Sequence, residues 1–253
     1  MTASKVLQRL IWKDARTVAP LAIAILFGTL VLGALQWVFF RMSEIRPSDQ
    51  LAIMYGVWML MPNLFALGAP AMLVGGEEES GTLGWLRTLP IGWRPITRSK
   101  MLVALSCWVV IVALSTLVFF LYLATFNESS LRQIEYTGFS LEHFELHLIG
   151  QSMFGLSLLL VSFATAYAFR SPISALVSVA PLMIFLAVGF TALSEQMSRT
   201  GLGQTPWWEL WSTYPVPFVV VGVLFVTLLF TIQWLIARRR LCRVTTRVSD
   251  RIA

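Results

Sequence analysis

Apolar residues along this chain gather into long uninterrupted runs, at about 18–40, 51–74, 101–126, 147–169, 172–194 and 215–237, each bounded by a charge, a proline or a polar cluster. At 1.5 Å per residue, a run of about 23 residues forms a helix roughly 35 Å long. That crosses a hydrocarbon core about 30 Å thick with modest tilt. Between 147 and 194 the residues Arg170, Ser171 and Pro172 divide one apolar block into two spans joined by a tight turn. The pattern predicts an all-α, polytopic membrane protein, with six transmembrane helices forming a single domain over 1–253.

Composition agrees. Of 253 residues, 57% are apolar and 13% charged, about half the charge of an ordinary soluble domain. The net charge of +6 would suggest a nucleic-acid partner in a soluble protein; here its distribution reads as topology instead. Six spans put both termini on one side. That side, with the 75–100 loop and Arg170, carries fifteen Lys and Arg, against four (Arg41, Arg46, Arg132, Arg199) on the other. The excess places both termini in the cytoplasm. Cys107 and Cys242 are too few for a disulfide framework and are expected as reduced thiols.

Before the first span, Val6, Leu7, Leu10 and Ile11 share one helical face, with Lys5, Arg9, Lys13 and Arg16 away from it and Trp12 near the boundary. The first 17 residues are expected to lie as an amphipathic helix in the cytoplasmic headgroup region. None of the six spans contains Asp, Glu, Lys or Arg, so the chain has no built-in ion-coupled energy source. Polar residues inside spans, among them Gln36, Asn63, Ser106, Thr116, Ser162 and Ser178, are expected to bond between helices. No nucleophile elbow, zinc-protease or phosphate-loop signature is present. His143 and His147, four apart, could meet a metal or equally form an external turn leading into span four. No catalytic residue, metal or cofactor is assigned.

The loop from Gly76 to Lys100 reads GEEESGTLGWLRTLPIGWRPITRSK. Glu77, Glu78 and Glu79 are expected to open a short amphipathic helix over about 77–89, with acids favouring its positive start and Pro90 ending it. Glu79, Thr82, Leu83 and Leu86 would share one face. In order and spacing, Glu77, Glu79, Gly81, Thr82, Leu83, Leu86, Pro90, Ile91 and Lys100 resemble the first cytoplasmic loop of type-2 ABC transporter permeases. Ser80, Gly84 and Trp85 depart from that pattern. The similarity extends to the lead helix, the six spans, the tight turn at Arg170–Pro172, and the tryptophan-rich stretch 195–214, where such permeases often dip back into the membrane.

The resemblance implies a permease subunit of an ATP-driven exporter, pairing with a second permease copy or a homologous permease and with cytoplasmic ABC ATPase subunits. The 77–89 helix would dock in a groove of the ATPase. Each cytoplasmic segment is far shorter than the ~100 residues of a compact nucleotide-binding domain, so ATP must be handled by another chain. Two rival readings remain: a non-transporting membrane scaffold or assembly factor, and an intramembrane enzyme acting on lipid.

Overall fold

The computed structural model describes residues 3–42, 47–82, 86, 93–125, 144–169, 171–181 and 215–252. Among these residues the regular structure is helical throughout. In chain order it comprises α1 (Ala3–Met42), α2 (Pro47–Pro70), a π-helical turn (Ala71–Gly75), α3 (Gly76–Glu79), α4 (Trp93–Leu123), α5 (Phe144–Ala168), α6 (Pro172–Pro181) and α7 (Pro215–Ile252). Five stretches are long and apolar enough to cross a membrane: Lys5–Met42, Ile53–Glu79, Trp93–Leu123, Leu148–Ala168 and Gly222–Leu241. They coincide with five of the six expected spans. Of the expected 172–194 span, α6 is the described part. The rest of it, with the 195–214 stretch, Asn127 and His143, lies outside the described residues. The chain divides into two compact units, one of residues 1–73 and 90–144, the other of 74–89 and 145–253.

In the first unit α1, α2 and α4 pack together, and paired contacts fix their directions. Gly33 of α1 faces Val118 of α4, and Phe40 meets Tyr122 at 6.0 Å. Near the other end Asp14 meets Ser99. Both sequences rise together, so α1 and α4 run parallel. By contrast α2 is antiparallel to α4: Tyr122 donates to Gln50 at 3.3 Å, Trp58 to the Thr116 hydroxyl at 2.9 Å, and Lys100 to the Leu73 carbonyl. Trp58 also stacks on Phe119 at 5.3 Å, with both side chains buried. This alternation is what three consecutive spans require.

The lead segment differs from expectation. Rather than an interfacial helix followed by a separate span, α1 is one unbroken helix of 40 residues, about 60 Å long and twice the hydrocarbon thickness. Pro20 lies inside it, on an exposed face. There its missing N–H removes one backbone bond without ending the helix. Leu10, Asp14, Val18, Ala22, Thr29, Gly33 and Phe40 make one buried stripe along this length, so packing holds the two halves in register. Polar side chains inside spans mostly differ too. Thr116 meets Trp58 as expected, but the side chains of Asn63, Ser106 and Ser178 bond a carbonyl four residues back in their own helix, as short polar side chains can.

In the second unit α5 is apolar all round and buried over much of its length, including Leu158–Val161, Phe163, Ala166 and Tyr167. Gly222 places α7 against Met153 of α5. Ser162 and Ala166, one turn apart, are both buried. On α6 the buried pair is Ala175 and Val179; Ser174 is exposed, and the Ser178 hydroxyl returns to the Ser174 carbonyl. At 38 residues, α7 is about 57 Å long and carries the basic residues beyond Ala237 on the same helix that forms the expected last span.

Candidate functional site

Each unit holds one arrangement of charged groups. The first begins where α2 ends. Pro70 has no N–H to give to a carbonyl in the preceding turn, and residues 71–75 follow as a π-helical turn. A π turn holds one more residue than an α turn, which shifts its carbonyls out of the regular ladder. The Leu73 carbonyl accepts a hydrogen bond from Lys100 Nζ at 2.5 Å. Lys100 also lies 3.4 Å from Asp14 Oδ1, and Ser99 Oγ donates to Asp14 Oδ2 at 2.6 Å. The Ile96 carbonyl stands 3.0 Å from the same hydroxyl; its single proton serves the shorter, charged acceptor. Lys13, one-third exposed, stands 3.4 Å from Asp14 on its outer side.

Asp14, Ser99 and Lys100 are 1%, 0% and 0% exposed. A charge removed from water costs several kcal/mol unless it is paired and its remaining bonds are met. Here the carboxylate has both oxygens engaged, and the ammonium has a carboxylate and a carbonyl. Lys100 was expected from the loop pattern. Asp14 and Ser99 were not, although a signal existed: Asp14 falls four residues after Leu10 and four before Val18, on the apolar face of α1. An acid on the buried side of an amphipathic helix needs a cation.

The second arrangement belongs to the other unit and holds most of the expected loop residues. Glu77, Glu78 and Glu79 do not open the loop helix; they close the helix arriving from α2. Ser80 caps that end, its N–H bonding the Gly76 carbonyl, and Gly81 follows at φ +74° with its N–H on Glu78. A left-handed glycine after the last helical residue is a common helix stop, because only glycine enters that region without strain. Thr82 is helical again, its hydroxyl 2.9 Å from that of Ser80. Glu79 therefore lies before the turn and Thr82 after it, so the helix that holds Glu79 ends before Thr82.

Acids at a helix C-terminus oppose its dipole, and two of the three are held by their surroundings. Glu77 is buried, and Glu78 accepts from Arg240 of α7 at 3.1 Å. Glu79 and Ser80 are exposed, and Leu86 is buried. Leu83, Pro90 and Arg170 lie outside the described residues. Of the other expected turn residues, Ser171 accepts the Ala175 N–H through its carbonyl at 3.0 Å, and Pro172 takes the first position of α6, where its fixed φ suits a helix start. Pro172 packs directly on Gly75, so the start of the first loop and the second turn, read separately from sequence, meet within this unit. In the sequence pattern Arg240 is only one of the fifteen Lys and Arg on the side of the termini.

The family model for ABC-2 transporter proteins matches residues 12–177, more than half of the chain. The chain belongs to the ABC-2 transporter family. None of the curated proteins compared with it matches. Membership fits the membrane-spanning helices and makes the chain a multi-pass integral membrane protein and a transport subunit of permease type. The matched stretch takes in Asp14, the π turn, the acids, Gly81, Lys100 and Pro172, so the first arrangement and, apart from Arg240, the second fall inside the matched residues. Among the described residues no group of His, Cys, Asp and Glu could hold a metal ion.

Proposed function

We propose that this ABC-2 protein is the permease of an ATP-driven exporter in a bacterial cytoplasmic membrane, with both termini inside. It works with a second permease copy, or a homologous permease, and takes its energy from cytoplasmic ABC ATPase subunits through the loop that begins at Gly76. One observation carries the reading. The loop opens with an acid-rich helix end and a glycine stop, at the foot of a spanning helix and next to the second turn through Gly75 and Pro172. An acidic, partly exposed corner on the basic side of the membrane offers a partner a defined point of contact, and movement there passes into rigid helices.

Two further features support it. The middle of the expected spans is without ionisable groups, so energy must come from outside the chain. Gln233, fully buried in α7, has neither amide atom hydrogen-bonded among the described residues; an unpaired buried amide favours a polar solute or a facing helix. The chain, purified from its native membrane and placed in lipid nanodiscs, should carry an ATP-hydrolysing subunit and a second permease in one particle. Native mass measurement that finds a lone permease with no nucleotide-hydrolysing partner overturns the proposal in favour of a scaffold, and turnover of lipid by the isolated chain overturns it in favour of an enzyme.

A further inference from the structure

The buried charges of the first unit invite a sharper question than stability. An ion pair enclosed in protein adds little net stability compared with apolar side chains of the same size, because desolvation cancels most of the attraction. Ile, Leu and Val are plentiful in this chain and could fill the space. What an apolar filling cannot supply is direction. The Lys100 ammonium bonds one carbonyl oxygen of the π turn and one carboxylate of α1, and Ser99 fixes the second carboxylate oxygen. Three elements are thereby held at one height and one rotation: α1 at Asp14, α4 at Ser99 and Lys100, and the turn at Leu73. Gly76, where the loop begins, follows Leu73 by three residues, and the backbone between them is helical throughout.

We infer that Asp14, Ser99 and Lys100 are positioning residues that tie the foot of α2 to α1 and α4, so that displacement of the 76–82 segment is passed to all three helices as one body. The inference rests on the proposed permease function and adds to it the route by which loop movement enters the spans. None of the three touches the transported molecule or nucleotide; each acts through the Leu73 carbonyl or through another member. Removal of both charges should therefore separate coupling from folding. Asp14→Asn keeps an acceptor for Ser99, and Lys100→Met keeps most of the side-chain volume without the bond to Leu73.

The test uses the permease in nanodiscs, with the ATP-hydrolysing subunit that co-purifies with the parental chain. The double variant Asp14→Asn/Lys100→Met is expected to insert, to melt within a few degrees of the parent and to bind as much ATPase. Amide exchange across residues 74–82 should be about tenfold faster than in the parent, and ATP hydrolysis by the complex about fivefold slower or more. Parental exchange and parental hydrolysis in the double variant overturn the inference. A measurement on the unaltered complex decides the case should that variant not fold: on nucleotide binding, exchange in 10–18, 71–82 and 96–103 should change together. A change confined to 76–82 overturns the positioning role while leaving the permease reading in place. Absence of any ATP-hydrolysing partner from the parental preparation overturns that reading, and this role with it.

Discussion

Gly75 and Pro172 are in direct backbone contact: a Cβ on Gly75 would stand 2.8 Å from the Pro172 Cα. Gly75 itself has ordinary helical angles, φ −65° and ψ −45°, so the glycine is required by its neighbour and not by its backbone. Proline at that contact is a rigid wall, since its Cα and ring cannot swing aside.

Gly75→Ala should therefore destabilise, although in an open helix alanine is favoured by about 1 kcal/mol. Overpacking against backbone costs about 1–3 kcal/mol and wins. Gly28→Ala in α1, with nothing within 4 Å of the added carbon, is the control and should be neutral or stabilising. Thermal unfolding of the purified variants in one detergent compares them; equal melting temperatures would contradict the contact.

Gly81 presents the opposite case. Its added Cβ would meet open space, but its φ of +74° is unfavourable for side-chain-bearing residues. Gly81→Ala should cost about 1–2 kcal/mol through the backbone alone, and Gly81→Asn less, because asparagine tolerates this region. Proteolysis near residue 81 should follow the order Ala, Asn, Gly from fastest to slowest. Equal rates for all three would mean that the helix stop does not need the glycine.

The Glu78–Arg240 pair joins α3 to α7 at 3.1 Å, with side chains 20% and 27% exposed. Pairs reached by solvent contribute about 0.2–1 kcal/mol. A double-mutant cycle with Glu78→Gln and Arg240→Gln should give a coupling energy in that range, falling as salt is added. A value above about 3 kcal/mol would require a far drier site than the exposures allow.

Sequence reading reached the helical class and five of the spans, because bilayer thickness sets a minimum apolar length that no other element imitates. It was less successful at helix ends. Three acids in a row suit a helix start; at this helix end one of them, Glu78, is met by Arg240, 162 residues away. The pairing of Asp14 is beyond local spacing, because its partners, Ser99 and Lys100, are 85 and 86 residues distant. Gly81 was legible as a motif position, but its role as a stop depends on a backbone angle that spacing does not encode.

Topology can be probed with single cysteines and an impermeant thiol reagent on intact cells. Ser4→Cys and Thr246→Cys should stay unlabelled, and Ser129→Cys and Thr200→Cys should react, as the fifteen-to-four distribution of Lys and Arg requires. Ser99 is unsuitable as a probe. It is fully buried and bonded to Asp14, so a cysteine there would be protected on either side of the membrane. External labelling at Ser4 with silence at Ser129 would invert the orientation.

The loop offers the sharpest separation between holding a segment and docking a partner. Leu86 is only 3% exposed within this chain, so its side chain is already committed before any ATPase arrives. Leu86→Ala should lower the melting temperature, as truncation of a buried leucine costs about 2–5 kcal/mol, and should reduce ATPase stimulation as a consequence. Glu79 is exposed at a helix end whose dipole disfavours an acid. Glu79→Lys should therefore leave stability unchanged or slightly improved, yet weaken a basic docking site on the ATPase by charge reversal. Paired measurements of melting temperature and stimulated ATP hydrolysis distinguish the two effects. If Glu79→Lys keeps parental stimulation at physiological salt, the exposed acid is not the contact, and the docking surface must lie elsewhere in the chain.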